Sequence, residues 1–117
     1  MSNVDRGKKG EKQAVSALIA AGMQIIVQNY RCKEGEIDII ALDGETVVFI
    51  EVKAWSFYGV EDLKYGIDTK KQKKIIKTAK YFLLENRQYS KMSNRFDVVF
   101  IQNNSFTHLA SAFTEGV

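Results

Sequence analysis

The stretch from residue 36 to residue 53, EIDIIALDGETVVFIEVK, restricts the fold more than any other part of the chain. Its two halves are rich in Val, Ile and Phe, and the dipeptide Asp43-Gly44 between them is typical of a tight β-hairpin turn. The pattern predicts two antiparallel strands joined by a two-residue loop, with Leu42 paired to Glu45. This hairpin determines which side chains share a face.

Away from its turn, the predicted hairpin carries four charged side chains at positions where a strand would normally supply the core. In the predicted register Glu36 faces Glu51, Asp38 faces Phe49, and Lys53 follows two residues after Glu51. Because side chains alternate between faces, the three carboxylates and the lysine share one face. The opposite face takes the core residues Ile37, Ile39, Val48, Ile50 and Val52. Asp38 and Glu51 are then diagonal neighbours, about 7–8 Å apart at the backbone, and their carboxylates can reach one cation.

The other elements follow from hydrophobic periodicity and from glycine positions, since the chain contains no proline. The expected elements are a helix over 8–21, strands over 23–30, 36–42 and 45–53, a helix from Asp68 or Thr69 to about 87, and strands over 95–102 and 106–113. The segment 56–67 is predicted as a loop and Asn103-Asn104 as a turn. All 117 residues, 1–117, fit one domain. The order α-β-β-β-α-β-β predicts an α/β fold with one mixed five-stranded sheet flanked by helices.

Each predicted helix places one polar side chain on its apolar face. Glu11 lies within the stripe that the first helix directs to the sheet, and Gln72 precedes the stripe of the second helix by one turn. The second stripe is predicted as Ile75, Ile76, Ala79, Phe82 and Leu83. A carboxylate on a buried face must be neutralised, paired or bound to a metal. The alternatives are that Glu11 stabilises the helix dipole, that Gln72 is a surface residue, and that Glu36 is exposed and paired with a lysine.

Composition limits the kind of metal that the chain can bind. Cys32 is the only cysteine and His108 the only histidine, which excludes a disulfide within the chain and a Cys/His zinc site. His108 is expected to be packed or exposed rather than catalytic. A metal would need oxygen ligands, which favours Mg²⁺ or Mn²⁺. No apolar run of about 18 residues and no signal-peptide pattern is present, so a cytoplasmic location is expected.

Lysines are concentrated in the second predicted helix. Residues 70–80 contain six lysines and no acid, whereas the net charge of the whole chain is only +3. Such a run is typical either of a solvated helix face or of a surface that contacts nucleic-acid phosphates. The candidates for phosphate contacts are Lys70, Lys71, Lys73, Lys74 and Lys77.

Two acids and a lysine on one face suit metal-assisted attack of water on a phosphodiester. Asp38 and Glu51 are expected to hold Mg²⁺ with the backbone carbonyl of Val52, and Glu11 is expected to bind directly or through water. Lys53 can orient the attacking water or neutralise charge that develops on the phosphate.

The same residues resemble the PD-(D/E)xK nuclease superfamily, because Glu51-Val52-Lys53 follows Asp38 by thirteen positions. The chain more closely resembles the YraN-like family of small bacterial proteins, regarded as candidate endonucleases related to the archaeal Holliday junction resolvases. The matching positions are Gly7, Gly10-Glu11, Ala14, Gly22, Asn29-Tyr30-Arg31, Gly35-Glu36-Ile37-Asp38, Val48-Phe49-Ile50-Glu51-Val52-Lys53, Lys71-Gln72 and Arg95-Phe96-Asp97-Val98-Val99.

The resemblance implies a restriction-endonuclease-like fold with a divalent-metal site at Glu11, Asp38, Glu51 and Lys53. It also implies that Gln72 supports this site. The family commonly has a basic residue two positions after the lysine, where this chain has Ala54-Trp55. Trp55 can stack on a base or pack internally.

Three functions are compatible with these observations. The leading one is a Mg²⁺-dependent endonuclease that acts on DNA, including branched or single-stranded DNA. The second is a DNA-binding module that keeps the nuclease fold, does not cleave, and acts with a partner protein. The third is a ribonuclease, although the chain has no recognisable RNA-binding motif. Cleavage of branched DNA usually needs two sites and hence a homodimer, to which Phe57, Tyr58 and Tyr65 are candidate contributors.

Overall fold

The computed structural model describes residues 3–54, 67–102 and 105–114, and these residues form two helices and five strands. The elements are α1 (Asn3–Ala20), β1 (Gln24–Cys32), β2 (Gly35–Asp43), β3 (Thr46–Ala54), α2 (Thr69–Glu85), β4 (Ser93–Gln102) and β5 (Ser105–Phe113). A short 3₁₀ helix that the sequence did not predict, Arg87–Tyr89, follows α2. The predicted turn at Asn103-Asn104 and all of the predicted loop except Ile67 lie outside the described residues, as do Trp55, Phe57, Tyr58 and Tyr65.

The five strands form one sheet in the order β1-β2-β3-β4-β5. Strands β3 and β4 pair in parallel, and the other neighbouring strands pair antiparallel. The chain therefore has the predicted α/β fold with a mixed five-stranded sheet. Within the described part of the chain, no helix combines the length and the apolar character that crossing a membrane requires.

The helices cover opposite faces of this sheet. Ala14 and Leu18 of α1 pack in one cluster with Ile39, Val48 and Ile50. The residues of the other cluster include Ile75, Ile76, Ala79 and Phe82 from α2 and Phe49, Phe96 and Phe100 from the sheet. The predicted stripe of α2 is confirmed, except that Leu83 is only partly buried and Thr78, which was not predicted, is fully buried.

The hairpin between β2 and β3 has a different register from the predicted one. Asp43 pairs with Thr46 and Leu42 pairs with Val47, so the predicted pairs of Leu42 with Glu45, of Asp38 with Phe49 and of Glu36 with Glu51 are wrong. The two loop residues are Gly44 and Glu45 rather than Asp43 and Gly44. Gly44 has φ +60°, as the first central residue of a type II′ turn requires. The shift changes each pair by two residues, so alternation still assigns Glu51 and Lys53 to the face of Phe49.

Strand β2 does not alternate regularly along its whole length. Ile37 packs in the cluster under α2 together with Ile40, whereas Ile39 packs in the cluster under α1. The prediction that Ile37 shares a face with Ile39 is therefore wrong. Between them lies Asp38, and the facing part of β1 contains Asn29, which has a positive φ of 55°. This irregularity turns Asp38 away from regular strand geometry.

Candidate functional site

Asp38 lies where strands β2 and β3 separate. The register of the two strands ends at the pair Ile39–Ile50. One step beyond it, the backbone N–H of Val52 donates a hydrogen bond of 2.8 Å to Oδ2 of Asp38. A side-chain carboxylate thus accepts a backbone hydrogen bond between the two strands, and this bond anchors Asp38 between them.

Glu51 is the other carboxylate at this position, and it is nearly buried. Its Oε1 atom lies 2.9 Å from Nζ of Lys71, and 10% of the Glu51 side chain is exposed against 43% of the Lys71 side chain. The N-cap residue of α2, Asp68, accepts a hydrogen bond from the backbone N–H of Lys71. The sequence prediction assigned Lys71 to the exposed lysines, but its side chain turns toward the sheet.

Burial destabilises the charged forms of both acids, and the charge of Asp38 further destabilises that of Glu51. Burial, followed by the charge of Asp38, raises the pKa of Glu51 from 4.5 to about 7, although Lys71 and Lys53 act in the opposite direction. Burial also raises the pKa of Asp38, while the Val52 N–H, the charge of Lys71 and a hydrogen bond with Glu51 partly offset that rise. The positive charges of Lys53 and Lys71 are therefore insufficient to bring the pKa values of the two acids back to their ordinary range.

Lys53 and Lys71 lie within hydrogen-bonding reach of each other. Burial and the neighbouring Lys71 lower the pKa of Lys53, although Glu51 and Asp38 oppose this shift. Burial also lowers the pKa of Lys71, but the hydrogen bond and the charge of Glu51 outweigh it, so that the pKa of Lys71 is raised. The predicted convergence of an acid pair with Lys53 is thus present, and a second lysine joins it.

Glu11 approaches Asp38 from α1, on the face of the sheet opposite to α2. Its Oε1 atom is buried and accepts no hydrogen bond. Burial and the negative charge of Asp38 raise the pKa of Glu11, whereas a hydrogen bond with Asn29 lowers it. An unpartnered buried carboxylate oxygen is costly unless a ligand completes its coordination.

The other predicted site residues occupy more peripheral positions. Glu36 is exposed and forms a 3.0 Å ion pair with Arg31, although its charge still raises the pKa of Asp38. The side-chain amide of Gln72 donates a 3.0 Å hydrogen bond to the carbonyl of Ile67, which is a contact with backbone rather than with an acid of the site. The predicted phosphate-binding lysines other than Lys71, namely Lys70, Lys73, Lys74 and Lys77, are all exposed on α2.

The donor set suits a hydrated divalent cation better than a closed protein cage. Within residues 3–54, 67–102 and 105–114, no three His, Cys, Asp or Glu side chains are grouped closely enough to hold one metal ion. Mg²⁺, however, usually takes one or two carboxylates and keeps several waters. Asp38 and Glu51 fit that requirement, whereas Glu11, whose buried Oε1 has no hydrogen-bond partner, is not grouped closely enough with them to complete a three-acid site.

Asp97 on β4 is a second buried acid, and the sequence did not predict that several hydrogen bonds converge on it. Its carboxylate accepts hydrogen bonds from Nε of Arg95, from the backbone N–H of Ser111 at 2.9 Å and from Nε2 of His108 at 2.6 Å. Although burial opposes it, the hydrogen bonds of His108 and Arg95 lower the pKa of Asp97. Arg95 also pairs with Asp43 at 2.9 Å. The signal in the sequence was one carboxylate inside the apolar run 96–101.

The fold and the site together define an α/β protein with two carboxylates and two lysines grouped where neighbouring strands separate. The model of the family described as "Uncharacterised protein family UPF0102" matches residues 10–101. This chain belongs to that family. The match confirms the YraN-like resemblance at the level of the family, and the matched range contains Glu11, Asp38, Glu51, Lys53 and Lys71.

Relatives from distant bacteria match nearly the whole chain. A UPF0102 protein of Treponema denticola is 44% identical over 121 residues, which cover 92% of this chain and 93% of the relative. A UPF0102 protein of Persephonella marina is 43% identical over 108 residues, which cover 92% of each. A UPF0102 protein of Clostridioides difficile is 38% identical over 120 residues, which cover 97% of this chain and 100% of the relative. These names describe no activity.

Proposed function

We propose that this chain is a Mg²⁺- or Mn²⁺-dependent endonuclease that hydrolyses phosphodiester bonds of DNA, with branched and single-stranded DNA among its candidate substrates. The observation that carries the proposal is the pairing of the partly buried Asp38 with the buried Glu51, because both acids have raised pKa values although two lysines lie beside them. Paired acids that remain short of positive charge are typical of sites that bind a cation. The resemblance to the PD-(D/E)xK nucleases, which have a restriction-endonuclease-like fold, supports the same function.

Each residue of the site has a role in this proposal. Asp38 and Glu51 would hold the cation together with the Val52 carbonyl, and Glu11 would bind it directly or through water. When bound, a divalent cation lowers the pKa of a water molecule and polarises the phosphate that is attacked. Lys53 would orient the attacking water or neutralise charge that develops on the phosphate oxygens.

The exposed lysines of α2 would bind the DNA backbone. Lys70, Lys73, Lys74 and Lys77 lie on the helix that also carries Lys71, so this surface begins next to the acid pair. Contacts of lysine with phosphate are independent of base sequence and weaken as salt displaces them. Cleavage of opposed strands would need two such sites, supplied by a homodimer or by a protein partner.

The test is a cleavage assay on single-stranded, duplex, flapped and four-way-junction DNA, with and without Mg²⁺ or Mn²⁺. Asp38→Asn and Glu51→Gln remove one carboxylate charge each and should lower the rate by at least about a hundredfold. Glu45→Gln is the matched control, because it removes a carboxylate charge from the exposed turn between β2 and β3. We expect it to cleave at the rate of the unchanged protein.

Three results would contradict the proposal. Cleavage that survives both Asp38→Asn and Glu51→Gln would mean that these acids are not the site. Salt-sensitive DNA binding without cleavage of any substrate would instead support the alternative of a non-catalytic DNA-binding module that acts with a partner protein. Cleavage confined to RNA substrates, added as a further arm, would point to a ribonuclease.

A further inference from the structure

Lys71 occupies an unfavourable position for a cation. It lies in the first turn of α2, three residues after the N-cap Asp68. The N-terminal end of a helix carries partial positive charge, which disfavours a lysine there. The first turn after the N-cap contains no acidic residue, and the carboxylate of Asp68 accepts the backbone N–H of Lys71 rather than pairing with its ammonium group. The 2.9 Å ion pair with Glu51 is therefore what holds the Lys71 ammonium group against the sheet.

Without a divalent cation, Lys71 and Lys53 supply part of the positive charge that Asp38 and Glu51 need, and the Lys71 ammonium group lies 2.9 Å from Glu51. The ammonium groups of the two lysines are already within reach of each other. A divalent cation between the carboxylates would add two positive charges next to this pair, which favours departure of one lysine.

Lys71 is better placed to leave than Lys53. Its side chain is 43% exposed and starts from a helix whose neighbouring residue Lys70 is exposed to solvent. Lys53 is also partly exposed, but its backbone is fixed in β3, where it pairs with Phe100 of β4. The flexible four-carbon stem of lysine allows its ammonium group to move several ångströms without a change in the backbone.

We propose that Lys71 is a resident counter-ion of Glu51 that a divalent cation displaces, after which Lys71 contacts a phosphate of the bound nucleic acid. The inference rests on the proposed function and assigns to Lys71 a role distinct from the other lysines of α2. Lys71 is then a positioning residue that keeps Glu51 oriented before the metal arrives. It also links occupation of the metal site to an additional contact with the substrate.

The first test measures Mg²⁺ affinity by calorimetry at pH 9, where Glu51 is ionised. Lys71→Met removes the competing charge and should bind Mg²⁺ at least about fivefold more tightly than the unchanged protein. Lys71→Arg keeps a cation and should show no gain. Lys73→Met, which removes an exposed charge from the same helix, is the matched control and should also show no gain.

The second test measures DNA affinity against NaCl concentration, with Ca²⁺ at a saturating concentration or absent. With Ca²⁺, Lys71→Met should reduce the slope of log affinity against log salt by about 1, the value of one lost phosphate contact. Without Ca²⁺ its slope should stay unchanged, because Lys71 is then paired with Glu51. Lys73→Met should reduce the slope equally in both conditions.

The outcomes separate this inference from the proposed function. If the unchanged protein does not bind Mg²⁺, the metal site is wrong and the role of Lys71 is wrong with it. If the unchanged protein binds Mg²⁺ but folded Lys71→Met binds it equally or less tightly, only the displacement of Lys71 is overturned. A difference in salt slope between Lys71→Met and the unchanged protein that is the same with and without Ca²⁺ would overturn the conditional phosphate contact. Circular dichroism of each variant establishes that it is folded.

Discussion

Two acids on neighbouring strands of this sheet, Asp97 and Glu51, are both buried, but the fold shifts their pKa values in opposite directions. Asp97 accepts hydrogen bonds from Arg95, His108 and the Ser111 backbone, and its pKa is lowered. Glu51 pairs with a partly exposed lysine next to a second acid, and its pKa is raised to about 7. Burial is nearly the same for both residues. The number of hydrogen-bonding and charged partners therefore distinguishes the acid whose charged form the fold stabilises from the acid whose charged form it does not.

The largest expected effect is the loss of the Asp97 interactions. Asp97→Asn should lower the free energy of unfolding by about 3 kcal/mol, because it leaves the Arg95 and His108 side chains without the buried negative charge that they share. Chemical denaturation monitored by circular dichroism measures this. Since the pKa of Asp97 is lowered by folding, its stabilisation is present at neutral pH and is lost as the pH falls below the ordinary aspartate pKa of 3.8.

Asp43→Asn is the control for Asp97→Asn, because Asp43 also pairs with Arg95 but its side chain is 45% exposed. It should cost less than about 1 kcal/mol. Equal losses of unfolding free energy in Asp97→Asn and Asp43→Asn would contradict the prediction that burial makes the interactions of Asp97 more stabilising.

The second expected effect is a gain in the free energy of unfolding in Glu51→Gln, and its size depends on pH. The pKa of Glu51 is about 7 in the folded protein against an ordinary 4.5. Between these values the folded protein holds a proton that the unfolded chain has released, so Glu51 lowers the free energy of unfolding as the pH rises from 4.5 to 7. In metal-free buffer, Glu51→Gln should therefore gain stability over the unchanged protein, by little at pH 5 and by roughly 1–3 kcal/mol at pH 8.

Denaturation at several pH values checks this prediction, with Glu45→Gln as the control in an exposed turn. A stability difference between Glu51→Gln and the unchanged protein that does not vary with pH would contradict it. Glu51 would then resemble Asp97, as a buried acid whose charged form the fold stabilises, and the difference between the two acids would be disproved.

The smallest expected effect concerns the third acid of the hairpin, Glu36. Its ion pair with Arg31 is exposed, with 75% of the Arg31 side chain and 61% of the Glu36 side chain accessible to solvent. Glu36→Gln should therefore change the free energy of unfolding by less than about 0.5 kcal/mol at any pH between 5 and 8. A change as large as that of Glu51→Gln would show that Glu36 belongs to the buried acid cluster.

The sequence was sufficient for the order of the elements and for the shared position of Asp38, Glu51 and Lys53. The loop of the hairpin was misplaced by one residue, yet the shared face survived because the resulting shift in pairing was two residues, and alternation has a period of two. The irregularity at Asp38 was not predictable, because it depends on Asn29 in a different strand. The hydrophobic pattern of one strand contains no information about the backbone conformation of the strand that pairs with it.

The sequence contains a signal for the unusual positions of two further residues, Lys71 in α2 and Asp97 in β4. Lys71 lies at helical spacing with Ile75, Thr78 and Phe82, which places it on the buried stripe rather than on the lysine face. Asp97 interrupts an otherwise apolar strand. The partners of both residues come from distant parts of the chain, so a pattern can mark each as unusual without identifying what it binds.

The early end of the β2–β3 pairing also bears on solubility. Beyond Ile39, the side of β2 that faces β3 has no further strand pair in the part of the chain that the structure describes. A free strand edge is a template on which other chains can add and aggregate. Here that edge carries Asp38 and Glu36, and Lys53 lies on the strand that diverges from it, so an incoming apolar strand would have to bury their charges. The groups proposed for catalysis would thus also keep the open part of the sheet from pairing with other molecules.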